Sequence, residues 1–122
     1  MMRSLILALG IAVLLSGHSS ALAEPYAQDT LARVFRIEFQ AAPTLKGTTI
    51  DGYVYNRDLR ATGRIVLRID QVDASGRSAG TTTTWVLGVV ASGNRAYFVA
   101  RVPNASSYRV QVESFEWIRC GD

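Results

Sequence analysis

The stretch from Arg64 to Gly76, R-I-V-L-R-I-D-Q-V-D-A-S-G, decides the fold. Apolar side chains stand at every second position, at Ile65, Leu67 and Ile69, while Arg64, Arg68 and Asp70 point to the opposite face. A helix would need apolar residues three and four apart, so this period of two predicts a half-buried β-strand. The following Asp73-Ala74-Ser75-Gly76 predicts a turn, because Asp and Ser bond to nearby backbone and Gly accepts a positive φ.

The rest of the chain repeats this plan of an alternating strand followed by a polar turn. Strands are predicted at residues 31–40, 48–56, 64–72, 78–90, 96–102 and 108–118. Gly52 inside the second of these indicates a bulge or a close backbone approach. Gly88 indicates a bend or a change of sheet. A change of parity near Glu113 and Ser114 indicates a β-bulge in the last strand.

The first predicted strand has a helical alternative. Leu31, Val34 and Phe35 have the spacing of a helix face, but Phe35, Ile37 and Phe39 alternate with polar residues over the following positions. The longer alternation favours a strand from Leu31 to Gln40. We therefore expect a loop from Ala41 to Gly47 and no helix beyond residue 23.

These elements predict an all-β fold, an antiparallel immunoglobulin-like β-sandwich of six or seven strands after an N-terminal signal peptide. A small barrel is the alternative, since it also removes exposed sheet edges. Periodicity does not separate the two.

Residues 1–23 have the features of a secretory signal peptide. Arg3 supplies the positive charge, Leu5 to Leu15 is a run of apolar residues and glycine, and Ala21-Leu22-Ala23 offers a cleavage site. Eleven residues span about 16 Å as a helix, which is too short for a membrane core of about 30 Å. We therefore expect export, a periplasmic or secreted location, and no stable membrane anchor after cleavage. Residues 24–30 are a flexible lead-in, and 31–119 form the domain.

The charge balance gives little reason to expect a nucleic-acid partner. Without Arg3, 12 basic residues stand against 10 acidic ones, and the arginines are interleaved with acidic and apolar residues. A nucleic-acid surface would need a concentrated basic patch. We expect no nucleic acid as partner and interpret the arginines as solvated strand faces.

The chain beyond residue 23 has one cysteine, Cys120, and no histidine, because the single His18 lies in the predicted signal peptide. Histidine-based catalysis and a His or multi-Cys metal site are therefore excluded for the processed chain. We expect no metal and no cofactor. Cys120 has no intramolecular partner, so it is either a free thiol or the link in a disulfide-bonded dimer.

Carboxylate pairs are the remaining candidates for catalysis. Asp70 with Asp73, or Glu113 with Glu116, could serve as acid and base of a hydrolase. However, Asp70 falls on an outward strand face and Asp73 in a turn, where carboxylates are ordinarily solvated. We therefore expect no enzymatic activity.

Surface aromatics are the candidate binding residues. Tyr53 and Tyr55 fall on the outer face of their strand, and Trp117 or Trp85 could extend the strip. Such residues suit a sugar ring or the apolar side chain of a partner. The competing interpretation is that both tryptophans pack in the core, which is usual for tryptophan.

The order of turn and core motifs also resembles a known family. Gly52-Tyr53-Val54-Tyr55-Asn56, the strand Ile65 to Val72, Asp73-Ala74-Ser75-Gly76, Gly93 before Phe98, and Tyr108-Arg109-Val110 follow one another. This order resembles that of FxLYD-type and related immunoglobulin-like domains of bacterial envelope proteins, although the Phe-x-Leu-Tyr-Asp signature is absent. The resemblance implies an extracytoplasmic β-sandwich and supplies no catalytic residue.

Small size, the lack of catalytic groups and strand edges open to β-augmentation together favour a protein-interaction module. We expect its partner to be another envelope protein. The alternative is carbohydrate or small-ligand binding through Tyr53, Tyr55 and Trp117.

Overall fold

A computed structural model describes residues 27–119 of the chain. The predicted signal peptide at 1–23 and Cys120 lie outside the described residues. The elements are α1 (Gln28–Val34), β1 (Phe35–Thr44), β2 (Gly47–Asn56), β3 (Thr62–Val72), β4 (Ser78–Val86), β5 (Arg95–Val102) and β6 (Ser107–Trp117).

The six strands form two antiparallel sheets of three strands each. The first sheet has the order β1-β2-β5 and the second the order β4-β3-β6. β2 and β3 are the central strands. β3 pairs with β4 across the Asp73 turn and, on its other side, with β6 from the end of the described chain. Because two separate sheets stack on each other, the all-β sandwich prediction is confirmed and the barrel alternative is wrong.

One apolar core lies between the sheets and takes side chains from both. Ile50 and Val54 of β2 and the alternating residues Ile65, Leu67 and Ile69 of β3 are completely buried. At about 25 cal/mol per Å² of apolar surface removed from water, burial of such side chains is the main favourable contribution to the fold. The period of two that predicted β3 is therefore the pattern that builds the core.

The turn after β3 forms as predicted. The Oδ1 atom of Asp73 accepts hydrogen bonds from the amides of Ser75 at 2.9 Å and Arg77 at 3.0 Å, and from the Ser75 hydroxyl. Gly76 has a φ of +89°, a conformation in which other residues are strained. These contacts reverse the chain between β3 and β4.

The prediction of a strand from Leu31 was wrong, because residues 28–34 form α1. Leu31 and Val34 are three residues apart, so they share one helix face, and both are buried against the core. A seven-residue helix is not stable by itself, and this packing holds it in place. The Arg57 amide also donates to the carbonyl of Val34 at 2.7 Å.

The predicted loop at Ala41 to Gly47 was also too long. β1 continues to Thr44, which is paired with Gly47, so only Leu45 and Lys46 form the turn. Pro43 does not interrupt this strand because β1 is an edge strand with one hydrogen-bonded neighbour, where a residue without an N–H is tolerated.

Three irregularities occur where the sequence predicted them. A Cβ atom on Gly52 would lie 1.9 Å from the carbonyl oxygen of Glu38, so β1 approaches closely there. β4 ends before Gly88, whose φ is +84°, and the chain then crosses to the first sheet. The register between β3 and β6 shifts so that Val66 faces Ser114 while Leu67 faces Val112, which is the predicted bulge.

Among residues 27–119, no helix is long and apolar enough to cross a membrane.

Candidate functional site

Charged and aromatic side chains cover the outer face of the first sheet. Because Ile50 and Val54 of β2 point into the core, the alternate residues of that strand point outward, and the same parity holds for β1 and β5. We call this surface the tyrosine–arginine face. It consists of Arg36, Glu38, Asp51, Tyr53, Tyr55, Arg95 and Tyr97.

The strand register arranges these residues in rows across the sheet. Tyr55 lies between Arg36 on β1 and Arg95 on β5. In the next row, Tyr53 lies between Glu38 and Tyr97. Directly opposed residues of an antiparallel sheet have Cβ atoms about 4.5–5.5 Å apart, so each row is a set of touching side chains.

Two arginines cover tyrosine rings on this face. The guanidinium carbon of Arg36 lies 4.0 Å from the ring centre of Tyr55, and that of Arg95 lies 4.0 Å from the ring centre of Tyr53. The ring of Tyr53 also meets that of Tyr97 edge to face at 5.7 Å. These cation–π and aromatic contacts hold the rings in one arrangement without burying them.

Hydrogen bonds join the carboxylates to the same network. Glu38 accepts from Nη1 of Arg36 at 2.5 Å and from the Tyr55 hydroxyl at 2.9 Å. These bonds, the one from Arg36 first, hold the pKa of the Glu38 carboxyl below its usual value. The Tyr97 hydroxyl donates to Oδ2 of Asp51 at 3.0 Å, and this bond raises the pKa of Tyr97 because it favours the protonated phenol.

A depression of about 370 Å³ opens on this face beside Tyr53 and Tyr97, away from the row that contains Tyr55. Its lining residues are Glu38, Phe39, Gln40, Asp51, Gly52, Tyr53 and Tyr97. The Tyr97 side chain is 54% exposed beside it. The depression is bounded by the carboxylates of Glu38 and Asp51, the amide of Gln40 and three aromatic rings.

The structure brings together two of the three predicted binding residues. Tyr53 and Tyr55 are half-buried neighbours with ring centres 6.4 Å apart. Trp117 belongs to the second sheet, where it packs against the core and meets Phe115 at 4.8 Å. The guanidinium of Arg60 lies 3.6 Å from its ring centre. Trp117 therefore does not extend the tyrosine strip.

The two tryptophans differ in burial. Trp117 packs against the core, as the competing interpretation predicted, whereas Trp85 is 60% exposed on the outer face of the second sheet. The core prediction for Trp85 was wrong because its position in β4 has the outward parity of Val66, which it faces.

The candidate catalytic carboxylates Asp70 and Asp73 are both held by structural partners. Asp70 was expected to be solvated, but it is only 6% exposed. Its carboxylate accepts from Thr81 at 3.0 Å and forms ion pairs with Arg68 at 3.5 Å and Arg109 at 3.7 Å. Long side chains from its own and the neighbouring strand cover it, which explains the burial on an outer face.

Asp73 is exposed and holds its turn together, and its hydrogen bonds lower its pKa, the one from the Ser75 hydroxyl most. Glu116 forms an ion pair with Arg64 at 3.5 Å. None of these contacts supports a hydrolase that uses Asp70 with Asp73, or Glu113 with Glu116, as its acid and base.

The sequence did not single out four residues of the face, namely Arg36, Glu38, Arg95 and Tyr97. The period of two in β5 shows that Arg95 and Tyr97 point to the face of the strand opposite to that of the buried Phe98. It does not show that β5 lies beside β2, which is what joins Tyr97 to Tyr53.

No three His, Cys, Asp or Glu side chains within residues 27–119 are placed to share a metal ion. Comparison of the chain with protein-family models, curated proteins and solved structures finds no significant match.

Proposed function

We propose that this protein is a non-catalytic protein-interaction module of the bacterial envelope and that it binds another envelope protein through the tyrosine–arginine face. The observation that carries the proposal is the row structure of that face, in which three tyrosines and two arginines contact one another on one sheet surface. Tyrosine and arginine are the residue types enriched at the energetic centres of protein interfaces.

The network also fixes these side chains before a partner arrives. Tyr53 is held by Arg95 on one side and by Tyr97 on another, and Tyr55 bonds to Glu38. Ordering a free side chain on binding costs about 0.5–1.5 kcal/mol, so a preorganised face loses less on association. Val99, 52% exposed in the next row, adds apolar area.

Site-specific photo-crosslinking in the producing cell tests this function. A photoreactive phenylalanine analogue replaces Tyr97 in one variant and Thr83 in a matched control, since Thr83 is also exposed but belongs to the second sheet. We expect one reproducible protein adduct from position 97 and none of the same mass from position 83.

The affinity of this chain and its variants for the identified partner is then the decisive measurement. Tyr97→Ala removes a large aromatic ring that is 54% exposed on the face, so we expect a loss of about 2 kcal/mol or more, roughly thirtyfold in affinity. Thr83→Ala should bind as the unsubstituted chain does. Equal adducts at both positions, or full affinity of Tyr97→Ala, would refute the assignment of this face.

Carbohydrate binding is the second candidate, and the depression beside Tyr97 is the observation in its favour. Carboxylates of Glu38 and Asp51 beside aromatic rings resemble the polar and stacking groups that sugars use. The guanidinium groups over Tyr53 and Tyr55 already occupy one face of each ring, which leaves Tyr97 as the main stacking surface. A glycan panel measured with the unsubstituted chain and with Tyr97→Ala distinguishes the two, because a sugar site would give binding that this substitution abolishes.

A further inference from the structure

Four large apolar side chains are strongly exposed at one end of the sandwich, and none of them belongs to the tyrosine–arginine face. We call them the apolar tip. The exposed fractions are 93% for Leu59, 60% for Trp85, 87% for Leu87 and 60% for Val89. Side chains as exposed as the two leucines project from the surface and line no groove. A cluster of this kind is uncommon on a soluble monomer and usually marks an interaction site.

Hydrogen bonds hold the two segments that carry the tip at the same end. Thr62 and Val90 exchange reciprocal backbone bonds of 3.0 and 2.7 Å. The Ser92 hydroxyl donates to the carbonyl of Asp58 at 2.7 Å. The loop that carries Leu59 is therefore fastened to the segment that follows Leu87 and Val89, so its position does not depend on a bound partner.

The surroundings of the tip are basic. The segments 57–64, 85–95 and 116–119 all lie at this end, because β2, β4 and β6 end there and β3 and β5 begin there. They contain five arginines and two acidic residues, namely Arg57, Arg60, Arg64, Arg95, Arg119, Asp58 and Glu116. Asp58 pairs with Arg60 and Glu116 with Arg64, so the excess charge is positive.

We propose that the apolar tip inserts into the surface of an anionic lipid membrane. Projecting leucines enter the boundary between headgroups and acyl chains, and tryptophan prefers that same boundary because its ring is apolar and its N–H is polar. The excess positive charge at this end then attracts the phosphates of anionic headgroups over a distance of about one Debye length. A protein partner would favour a concave or flat site, whereas these side chains project at an end of the sandwich with excess positive charge.

Vesicle co-sedimentation tests the proposal. The chain as its producing cell processes it is mixed with vesicles of phosphatidylcholine alone or of phosphatidylcholine with phosphatidylglycerol. We expect binding to the anionic vesicles that weakens as salt is added, because salt screens surface charge. Leu87→Asp should reduce the partition coefficient about tenfold or more, since it replaces an inserted leucine by a charge.

Leu45→Asp is the matched control. Leu45 is fully exposed, but it lies in the turn between β1 and β2 at the opposite end. All variants share one N terminus, so the N-terminal apolar segment cannot produce a difference between them. In a Trp117→Phe background, the fluorescence of Trp85 should shift to the blue when anionic vesicles are added.

Three results would overturn the proposal. They are no binding by the unsubstituted chain, equal losses in Leu87→Asp and Leu45→Asp, and a concentration-dependent dimer that Leu87→Asp abolishes without any vesicle binding. The last result would assign the tip to contacts between protein copies. The outcome is independent of the crosslinking at Tyr97, because the two surfaces are probed by different variants.

Discussion

Asn56 is the polar side chain whose loss should damage the domain most at the end that carries the apolar tip. It is 1% exposed, and its side-chain nitrogen Nδ2 donates to the carbonyls of Arg60 at 2.8 Å and Val90 at 2.9 Å. Its amide oxygen accepts from the backbone N–H of Asp58 at 2.8 Å. One side chain thus satisfies three backbone groups of two separate segments.

The cost of Asn56→Ala can be worked out from these bonds. Each hydrogen bond contributes about 1 kcal/mol net, and a buried partner left without a bond costs about 1–3 kcal/mol. Three bonds at about 1 kcal/mol each give a loss of about 3 kcal/mol, and the Val90 carbonyl keeps its bond from the backbone N–H of Thr62. With a urea m-value of about 1.5 kcal/mol per M, the midpoint of unfolding should fall by about 2 M.

Urea unfolding followed by circular dichroism provides the measurement, with Asn94→Ala as control. Asn94 is an exposed asparagine of the neighbouring turn. Its backbone carbonyl, which alanine retains, accepts a hydrogen bond from the backbone N–H of Asn56. The control should therefore unfold within about 0.5 kcal/mol of the unsubstituted chain. A midpoint shift in Asn56→Ala no larger than that of the control, at an unchanged m-value, would refute the role assigned to this side chain.

Three further results are expected. Gly52→Ala should lower the free energy of unfolding by about 3 kcal/mol or more in the same assay, because its Cβ would overlap rigid backbone, and a loss below about 1 kcal/mol would contradict the close approach. Leu67→Ala should lower the free energy of unfolding by about 3 kcal/mol through the cavity it leaves, whereas Leu87→Ala, at a side chain that is 87% exposed, should cost less than about 0.5 kcal/mol. The lowered pKa of Glu38 means that its contact with Arg36 stabilises the fold above the usual glutamate pKa of about 4.3, and that this contribution is lost as the pH falls through the lower folded-state value. Glu38→Gln should therefore flatten the acid limb of a stability–pH curve, and an unchanged limb would argue against the contact.

The sequence could predict the sandwich because β3 alternates between exposed or half-buried and buried positions from Arg64 to Ile69. Alternation places three aliphatic side chains of this strand in the core, and the Asp73 turn fixes where the strand ends. Both features are local, so they depend on neither the strand order nor distant partners. The same is true of Gly52 and of the bulge near Ser114, where a break in the local pattern marks the place.

The N-terminal helix could not be predicted in this way because two patterns overlap. Leu31, Val34 and Phe35 have helical spacing, and Phe35 also begins the alternation of β1. The choice between them depends on whether a short helix finds a surface to pack on. That surface is the core between the sheets, where Leu31 and Val34 are buried, and no window of local sequence reveals it.

The tyrosine–arginine face shows the same limit at the level of function. Alternation identifies which residues of one strand share a face, and so it placed Tyr53 beside Tyr55 correctly. It is silent on which strands are neighbours, and the contact between Tyr53 and Tyr97 joins residues 44 positions apart through the pairing of β2 with β5. Asp70 shows the opposite effect of strand pairing. Its outward position was predicted correctly, but Arg68 of its own strand and Arg109 of the paired strand cover it. In a sandwich of this kind, strand order therefore decides both which surface residues act together and which of them remain accessible to a partner.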